Sequence, residues 1–410
     1  MAAAGAAVSV GLMRWRLWSG PVPEVDAPPL ADWFDPAALE RNREYRRGLW
    51  TMSAVAVPLV PAAAVAAALL GRRWRPAVVR AAGARPWRAG LIVGGGLAAL
   101  SVTVALPVAA ARFAWGRSYG IVTQSTAGWL VDVGKGLALQ AIVLGAVGAG
   151  AAVLIARAPR LWWAGLAGGV AGLVYALSLL SPLVVEPLFQ RTEPLRDRAL
   201  AAEVLDLARR AGVEADDVKV NDASVRTTAA NAYVSGLGGS RHIVLYDTLI
   251  RDFPRDQVRF VVAHELAHVE RRHVLKGTTW GAVLAVPACL LLFAVVGWRT
   301  GFGPPGRGPA GCEVVVRRLT VAAATAAVAL AVSAPLGNWV SRAYEREAEW
   351  TALRLTDDPD AAIGLQQGLV ERSLGVPDPP RPVRVWFGTH PTALERIGMA
   401  LRHAAERSGG

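Results

Sequence analysis

The sequence predicts a mainly α-helical membrane protein with about six transmembrane helices. An α+β catalytic domain is expected from the loop after span four and the C-terminal segment. Three observations carry this expectation. Of the 410 residues, 53% are hydrophobic and only 19% are charged, unlike an average soluble chain. The apolar residues fall into blocks of about twenty, the length that crosses a bilayer. Between two such blocks lies Val261–His273, reading VVAHELAHVERRH, whose core is an HExxH arrangement.

The elements follow in order. Residues 1–48 form a Pro-containing lead-in that ends in the charged run Glu40–Arg47. Its short apolar start runs into Arg14 and Arg16 without a convincing cleavage site, so no cleaved signal peptide is read. Residues 49–185 form a four-span region. The first span is Leu49–Leu70, followed by an Arg72–Arg88 loop that Pro76 and Pro86 keep from being one long helix. Ala89–Ala111 is the second span, and a polar connection, Arg112–Lys135, follows it. Within that connection Asp132 and Lys135 lie three apart, either pairing at a membrane entrance or ending a solvated loop. Gly136–Ala156 and Leu161–Val185 are the third and fourth spans, the latter with Trp162 and Trp163 at the interface.

Residues 186–278 form the first catalytic segment. It contains the helix-like RDRALAAEVLDLARRAGV, then an alternating pair of strands, Ala232–Val234 and Ile243–Tyr246, around a Gly-rich turn. The HExxH helix comes next. Residues 279–337 hold two more spans, Thr279–Val296 and Leu319–Pro335, separated by a Gly/Pro-rich loop at Thr300–Gly311. Residues 338–410 form the C-terminal catalytic segment. Six spans put both termini and both polar segments on one side of the membrane.

Charge and cysteine content narrow the function. The net charge is +12, and 41 of the 44 basic residues are arginine, gathered at the edges of apolar blocks. No basic stripe alternates with aromatics on a polar segment, which argues against nucleic acid as a partner. The Arg72–Arg88 loop is as basic as the N-terminal flank, so charge counting does not separate the two orientations; a cytoplasmic catalytic side is preferred. Cys289 and Cys312 make neither a disulfide framework nor a thiolate metal site.

On an α-helix, residues four apart share a face, so His264 and His268 can present two imidazoles to one metal ion. Glu265 is one step round, placed to act as general base on a zinc-activated water. A hydrolytic zinc site needs a third protein ligand. Glu345 in NWVSRAYEREAEW is the candidate, with Glu349 four residues on positioned to hydrogen-bond a ligand histidine, and Glu347 pointing elsewhere. On spacing alone, the same carboxylates also suit an ordinary charged helix end. His273, beside Arg271 and Arg272, is either a support for the metal ligands or an interfacial residue.

HELAH, then Asn338, Ser341, Arg342, Glu345 and Ala348 as NxxSRxxExxA, then His390, Pro391 and Arg396 as HPxxxxR, resemble the type I CAAX prenyl endopeptidases, integral-membrane gluzincins. TQSTAGWLVDVGKG, EPLFQRTEPL, DASVRTTAANAY and LYDTLI resemble that family's segments in the same order, from about Glu40 to the end. The resemblance implies one Zn2+ per chain held by His264, His268 and Glu345, with Glu265 as base. It implies a zincin-like catalytic domain capping membrane helices that enclose a chamber. It also implies that Asn231, Ala232 and Tyr233 pair with an extended substrate, and that His390 and Arg396 stabilise the oxyanion. Glu349 stands where the family usually has Asp, and the extra N-terminal membrane helix of eukaryotic members is not found.

The expected function is therefore peptide-bond hydrolysis by an integral-membrane zinc metalloendopeptidase, in a bacterial cell membrane given the Ala- and Arg-rich chain. Its partners are membrane lipids and a peptide or protein substrate, with lipidated peptides one class. Membrane-protein quality control without a lipid requirement is a second reading, and a non-catalytic transporter or scaffold is a third.

Overall fold

The computed structural model describes residues 22–236 and 241–408. The N-terminal apolar start and the middle of the Gly-rich turn lie outside the described residues.

Among the described residues, six helices are long and apolar enough to cross a membrane. In order the helices begin with α1 (Glu40–Leu69), α2 (Gly71–Ala81), α3 (Pro86–Ser118) and α4 (Thr126–Arg157). The next, α5 (Trp162–Leu180), is prolonged by a π-helical turn at Ser181–Val185 and a last turn at Glu186–Phe189. After α6 (Arg198–Arg210) come α7 (Asp247–Asp252), α8 (Arg255–Glu270), α9 (His273–Thr300) and α10 (Gly308–Thr356). The chain closes with α11 (Pro359–Arg372), α12 (Arg381–Phe387) and α13 (Ala393–Ser408). All of these except α2, α6–α8 and α11–α13 are the membrane-crossing candidates.

The membrane helices pack through small residues. A Cβ on Gly90 or Gly94 of α3 would lie 2.2 or 2.0 Å from a carbonyl oxygen of α4, so only glycine permits this approach.

Several connections expected as loops are helical. Residues 71–81 form α2, whose Val79 packs with Ala82, Ala89, Cys312 and Val316. The break before α3 falls at Gly83 and Ala84, both left-handed (φ 58° and 56°), and Pro86 then starts α3. The polar connection after the second span shrinks to residues 119–125, because α3 runs on to Ser118 and Ser125 caps α4 by accepting from the Gly128 amide. Asp132 and Lys135 thus ride on α4, with Nζ 3.8 Å from Oδ1. The Gly/Pro-rich loop is likewise only 301–307.

The soluble part is built on a four-stranded sheet: β1 (Thr192–Pro194), β2 (Asp217–Asn221), β3 (Ala232–Ser235) and β4 (His242–Tyr246). Its order is β1-β2-β4-β3, with β2 and β4 parallel and β3 antiparallel to β4. β3 is therefore an edge strand. β4 is the buried centre: Ile243 and Leu245 join Leu200, Val204 and Leu207 of α6 and Phe260, Val262 and Leu266 of α8 in one core. Leu353 of α10 and Met399 of α13 complete it, so both polar segments share a single hydrophobic core. The link to the membrane is α10, which runs unbroken from the apolar span through Pro335 to the polar turns at Glu345 and Glu349.

Candidate metal centre

The metal helix α8 turns Val258, Val262 and Leu266 into the core, which fixes its rotation. His264 and His268 then emerge together, with their Nε2 atoms 3.2 Å apart. From α10, Glu345 brings Oε2 to 3.1 Å from His264 Nε2 and Oε1 to 3.5 Å from His268 Nε2. All three ligand atoms lie within 4.8 Å of one another.

Both histidines are held from behind. Glu349, one turn beyond Glu345, places Oε2 3.1 Å from His264 Nδ1, off the ideal hydrogen-bond direction. His273 places Nδ1 3.0 Å from His268 Nδ1, and its Nε2 lies 3.1 Å from Glu347 Oε2. The ring of His273 stacks on Tyr344 with centroids 4.7 Å apart. Arg272, left-handed at φ 56°, makes the turn between α8 and α9 that brings His273 back to the site. Glu347 does point away from the three ligands, as the spacing suggested, but it is buried and anchors this second chain of contacts.

Arg396 spans both carboxylates, with Nη2 3.2 Å from Glu345 Oε2 and Nη1 3.4 Å from Glu349 Oε2. A capping box positions it: the Thr392 amide donates to Glu395 (2.6 Å), and the Glu395 amide donates to the Thr392 hydroxyl (3.1 Å). His390 Nε2 lies 3.2 Å from Glu345 Oε2, yet its side chain is 58% exposed, so it faces the open side of the site. The NxxSR residues explain how His390 is presented. Asn338 Nδ2 donates to the carbonyls of Val385 and Trp386, and Arg342 Nη1 to those of Arg384 and Gly388. Together they clamp α12 and the segment that leads to His390.

Protonation follows from this packing. Burial pushes the Glu265 carboxyl up to about 7. Burial also dominates at His268, lowered to about 3, which keeps its imidazole neutral, the form that could coordinate a metal. His264 is the opposite case. Burial would lower it, but the hydrogen bond to Glu345 and the adjoining Glu349 carboxylate outweigh that and raise it to about 9.

A cavity of about 400 Å³ opens beside His264 and Glu265, with Ala230, Asn231, His390 and Arg396 on its walls. Of the three strand residues, Asn231 lines this cavity, Ala232 is buried opposite Leu245, and Tyr233 turns to Glu186 (2.5 Å) and Gln190 (2.7 Å). Nothing in the sequence indicates the contact of Glu347 with His273, the place of Glu186 against Tyr233, or the Asn338 and Arg342 clamp as a mechanical part.

Comparison with known proteins agrees with this geometry. Residues 194–404 match the model of peptidase family M48, and residues 22–191 match the CAAX prenyl protease N-terminal region, described as five membrane helices. An uncharacterized metalloprotease YhfN of Bacillus subtilis is 28% identical over 73% of this chain and 70% of its own. CAAX prenyl protease 1 of Saccharomyces cerevisiae is 28% identical over 44% of this chain and 40% of its own. In fold, the crystal structure of S. mikatae Ste24p aligns with a TM-score of 0.73 at 20% identity, covering 94% of this chain and 93% of that one. The chain is an integral-membrane metalloendopeptidase and belongs to peptidase family M48.

Proposed function

We propose that His264, His268 and Glu345 hold one zinc ion and that the enzyme cleaves lipidated or membrane-associated peptides near their C-termini. The observation that carries this reading is the meeting of two imidazoles and one carboxylate, delivered by separate helices, beside a cavity lined by a raised carboxyl. The donor set suits zinc: neutral nitrogens and one carboxylate oxygen, with a side left open toward the cavity. The 3.2 Å between the Nε2 atoms is close to the separation of about 3.3 Å expected for two nitrogens on one tetrahedral ion.

Zinc bound there supplies a Lewis acid next to the scissile carbonyl. The rest is the work of side chains. Glu265 accepts a proton from the attacking water and returns it to the leaving amine. His390, on the open side, faces the negative charge that develops on the carbonyl oxygen. Arg396 is pinned between two carboxylates, so its part is to keep Glu345 and Glu349 ionised and in place. The free edge of β3 gives an extended peptide a strand to pair with, leading past Asn231 into the cavity.

On this reading residues 186–278 and 338–410 act as one catalytic unit over two membrane regions, 49–185 and 279–337. We place the unit on the cytoplasmic side of a bacterial membrane, although the arginines are denser at the opposite end of the bundle. A reporter fused to the C-terminus tests that side.

Incubation with a farnesylated CAAX peptide and its unprenylated twin, each with and without a chelator, tests the function. Chelator-sensitive cleavage favouring the farnesylated peptide is expected. Equal cleavage of both would replace the lipid-directed reading with membrane-protein quality control. No cleavage of either by zinc-loaded enzyme would overturn it.

A further inference from the structure

Three connections meet at the end of the helix bundle away from the metal centre. There Val79, Ala82 and Ala89 pack with Cys312 and Val316, and Ile155 and Trp162 pack with Val296, Val315 and Leu319. Along α10, Arg318 at this end is about 40 Å from Glu345 at a rise of 1.5 Å per residue. The two therefore sit at opposite faces of a bilayer.

This end is almost entirely basic. Residues 70–88, 157–160 and 299–318 contain twelve arginines and a single carboxylate, Glu313, which is +11 of the chain's +12. Among the described residues none of the twelve takes part in an ion pair, nor does Glu313. Arg317 and Arg318 reach backbone carbonyls instead. Arg75 has no such outlet. It is only 8% exposed, its Nε is shielded without a partner, and no hydrogen bond reaches its guanidinium. Glu313 is the one carboxylate whose charge acts on it, opposed by Arg72 and Arg317, so positive charge stays in excess there, and a phosphate supplies both further negative charge and acceptor oxygens.

Next to these arginines lies a cavity of about 320 Å³ between α1, α2, α3 and α10. Its walls are apolar apart from Thr320, whose hydroxyl donates to the Val316 and Arg317 carbonyls. Trp74 and Val78 come from the helix that carries Arg72, Arg73 and Arg75, and Leu97 and Leu100 from deeper in α3. Trp74 donates its indole N–H to the Ala67 carbonyl at 3.0 Å, so its polar edge is already satisfied. The cavity thus starts at the level of the basic residues and runs toward the bilayer interior.

We propose that this end of the bundle binds an anionic phospholipid, with one acyl chain in the cavity and the phosphate against Arg72, Arg73 and Arg75. Charge complementarity selects the headgroup, and the adjoining apolar cavity selects a lipid over a free phosphate. The site is independent of the proteolytic reading, since none of its residues touches the metal centre.

Native mass spectrometry of the detergent-solubilised protein tests it, with added phosphatidylglycerol, phosphatidylcholine or water-soluble glycerol phosphate. Phosphatidylglycerol should be retained about tenfold more than phosphatidylcholine at equal concentration, and glycerol phosphate not at all. Combining Arg72→Gln, Arg73→Gln and Arg75→Gln should erase the preference. Gly96→Leu fills the cavity where a new Cβ meets nothing within 4 Å, so it should fold and lose the seated lipid. An unchanged size-exclusion profile and melting temperature in each variant show that the fold is intact. Should the triple variant fail to fold, Gly96→Leu alone decides. Equal retention of the two lipids by the parent, a preference that survives either variant, or binding of glycerol phosphate as strong as that of the lipid would each overturn the proposal.

Discussion

Glu265 and His264 sit next to each other on one helix, yet pH acts on them through different steps. The Glu265 carboxyl, held near 7 by burial, works as a base only when ionised. Activity should therefore fall as pH drops, and a nearby cation can only lower the midpoint, so kcat/KM should show an acidic limb at or below about pH 7. Glu265→Gln should retain metal and lose about 10²–10⁴-fold in kcat, read in the same cleavage assay. A variant that cleaves like the parent removes Glu265 as the base. His264 must be free of its proton to bind metal, and that proton is held up to about pH 9 by Glu345 and Glu349 against the effect of burial. Zinc affinity should then weaken as pH falls below 9, by about tenfold per unit. Competition with a chromophoric chelator at several pH values checks this, and a flat profile contradicts it. Behind the ligands, Glu347→Ala should weaken zinc binding about 10–100-fold by freeing His273 and, through it, His268. An unchanged affinity would reduce Glu347 to a buried charge with no bearing on the site.

Between elements, what can be read in advance depends on how local the cause is. HELAH is legible because one helical period fixes both imidazoles, and Glu345 with Glu349 because the same period repeats on α10. Glu347 could not be placed that way. Its contact with His273 depends on the left-handed turn at Arg272, a backbone event that the sequence around it does not announce. Strand β2 is illegible in the sequence for a similar reason. Its parallel partner β4 lies some twenty residues on, so nothing in VKVN itself forecasts the pairing. Helix ends differ from the sequence expectation because hydropathy marks where a chain leaves the lipid, whereas capping and packing decide where the helix stops. α2 looked like a loop for that reason. Its arginines and Pro76 hide the apolar contact of Val79 with Cys312 and Val316. The close approach of α3 and α4 yields a prediction at this scale. Gly94→Val should cost about 1–3 kcal/mol by overpacking, while Gly95→Ala, where a Cβ meets nothing within 4 Å, should be neutral. Thermal unfolding in detergent separates them, and equal melting temperatures would contradict the packing shown.

Over the whole molecule, the chain couples a membrane bundle to a soluble core through one continuous helix. α10 starts among the arginines, crosses with the apolar span and ends by supplying Glu345, Glu349 and Glu347 to the metal centre. The catalytic domain is discontinuous in sequence, yet α6, α8, α10 and α13 close one core around β4. That arrangement explains how residues 126 positions apart, His264 and His390, come to share Glu345. The claim on which the enzymology rests is that two imidazoles and one carboxylate from distant segments bind a single ion. Zinc K-edge X-ray absorption of the loaded protein measures that shell directly. Two imidazole nitrogens and a carboxylate oxygen at about 2.0–2.2 Å are expected, with the oxygen altered in Glu345→Ala. A shell with fewer than two imidazoles, or one that Glu345→Ala leaves unchanged, would contradict the account.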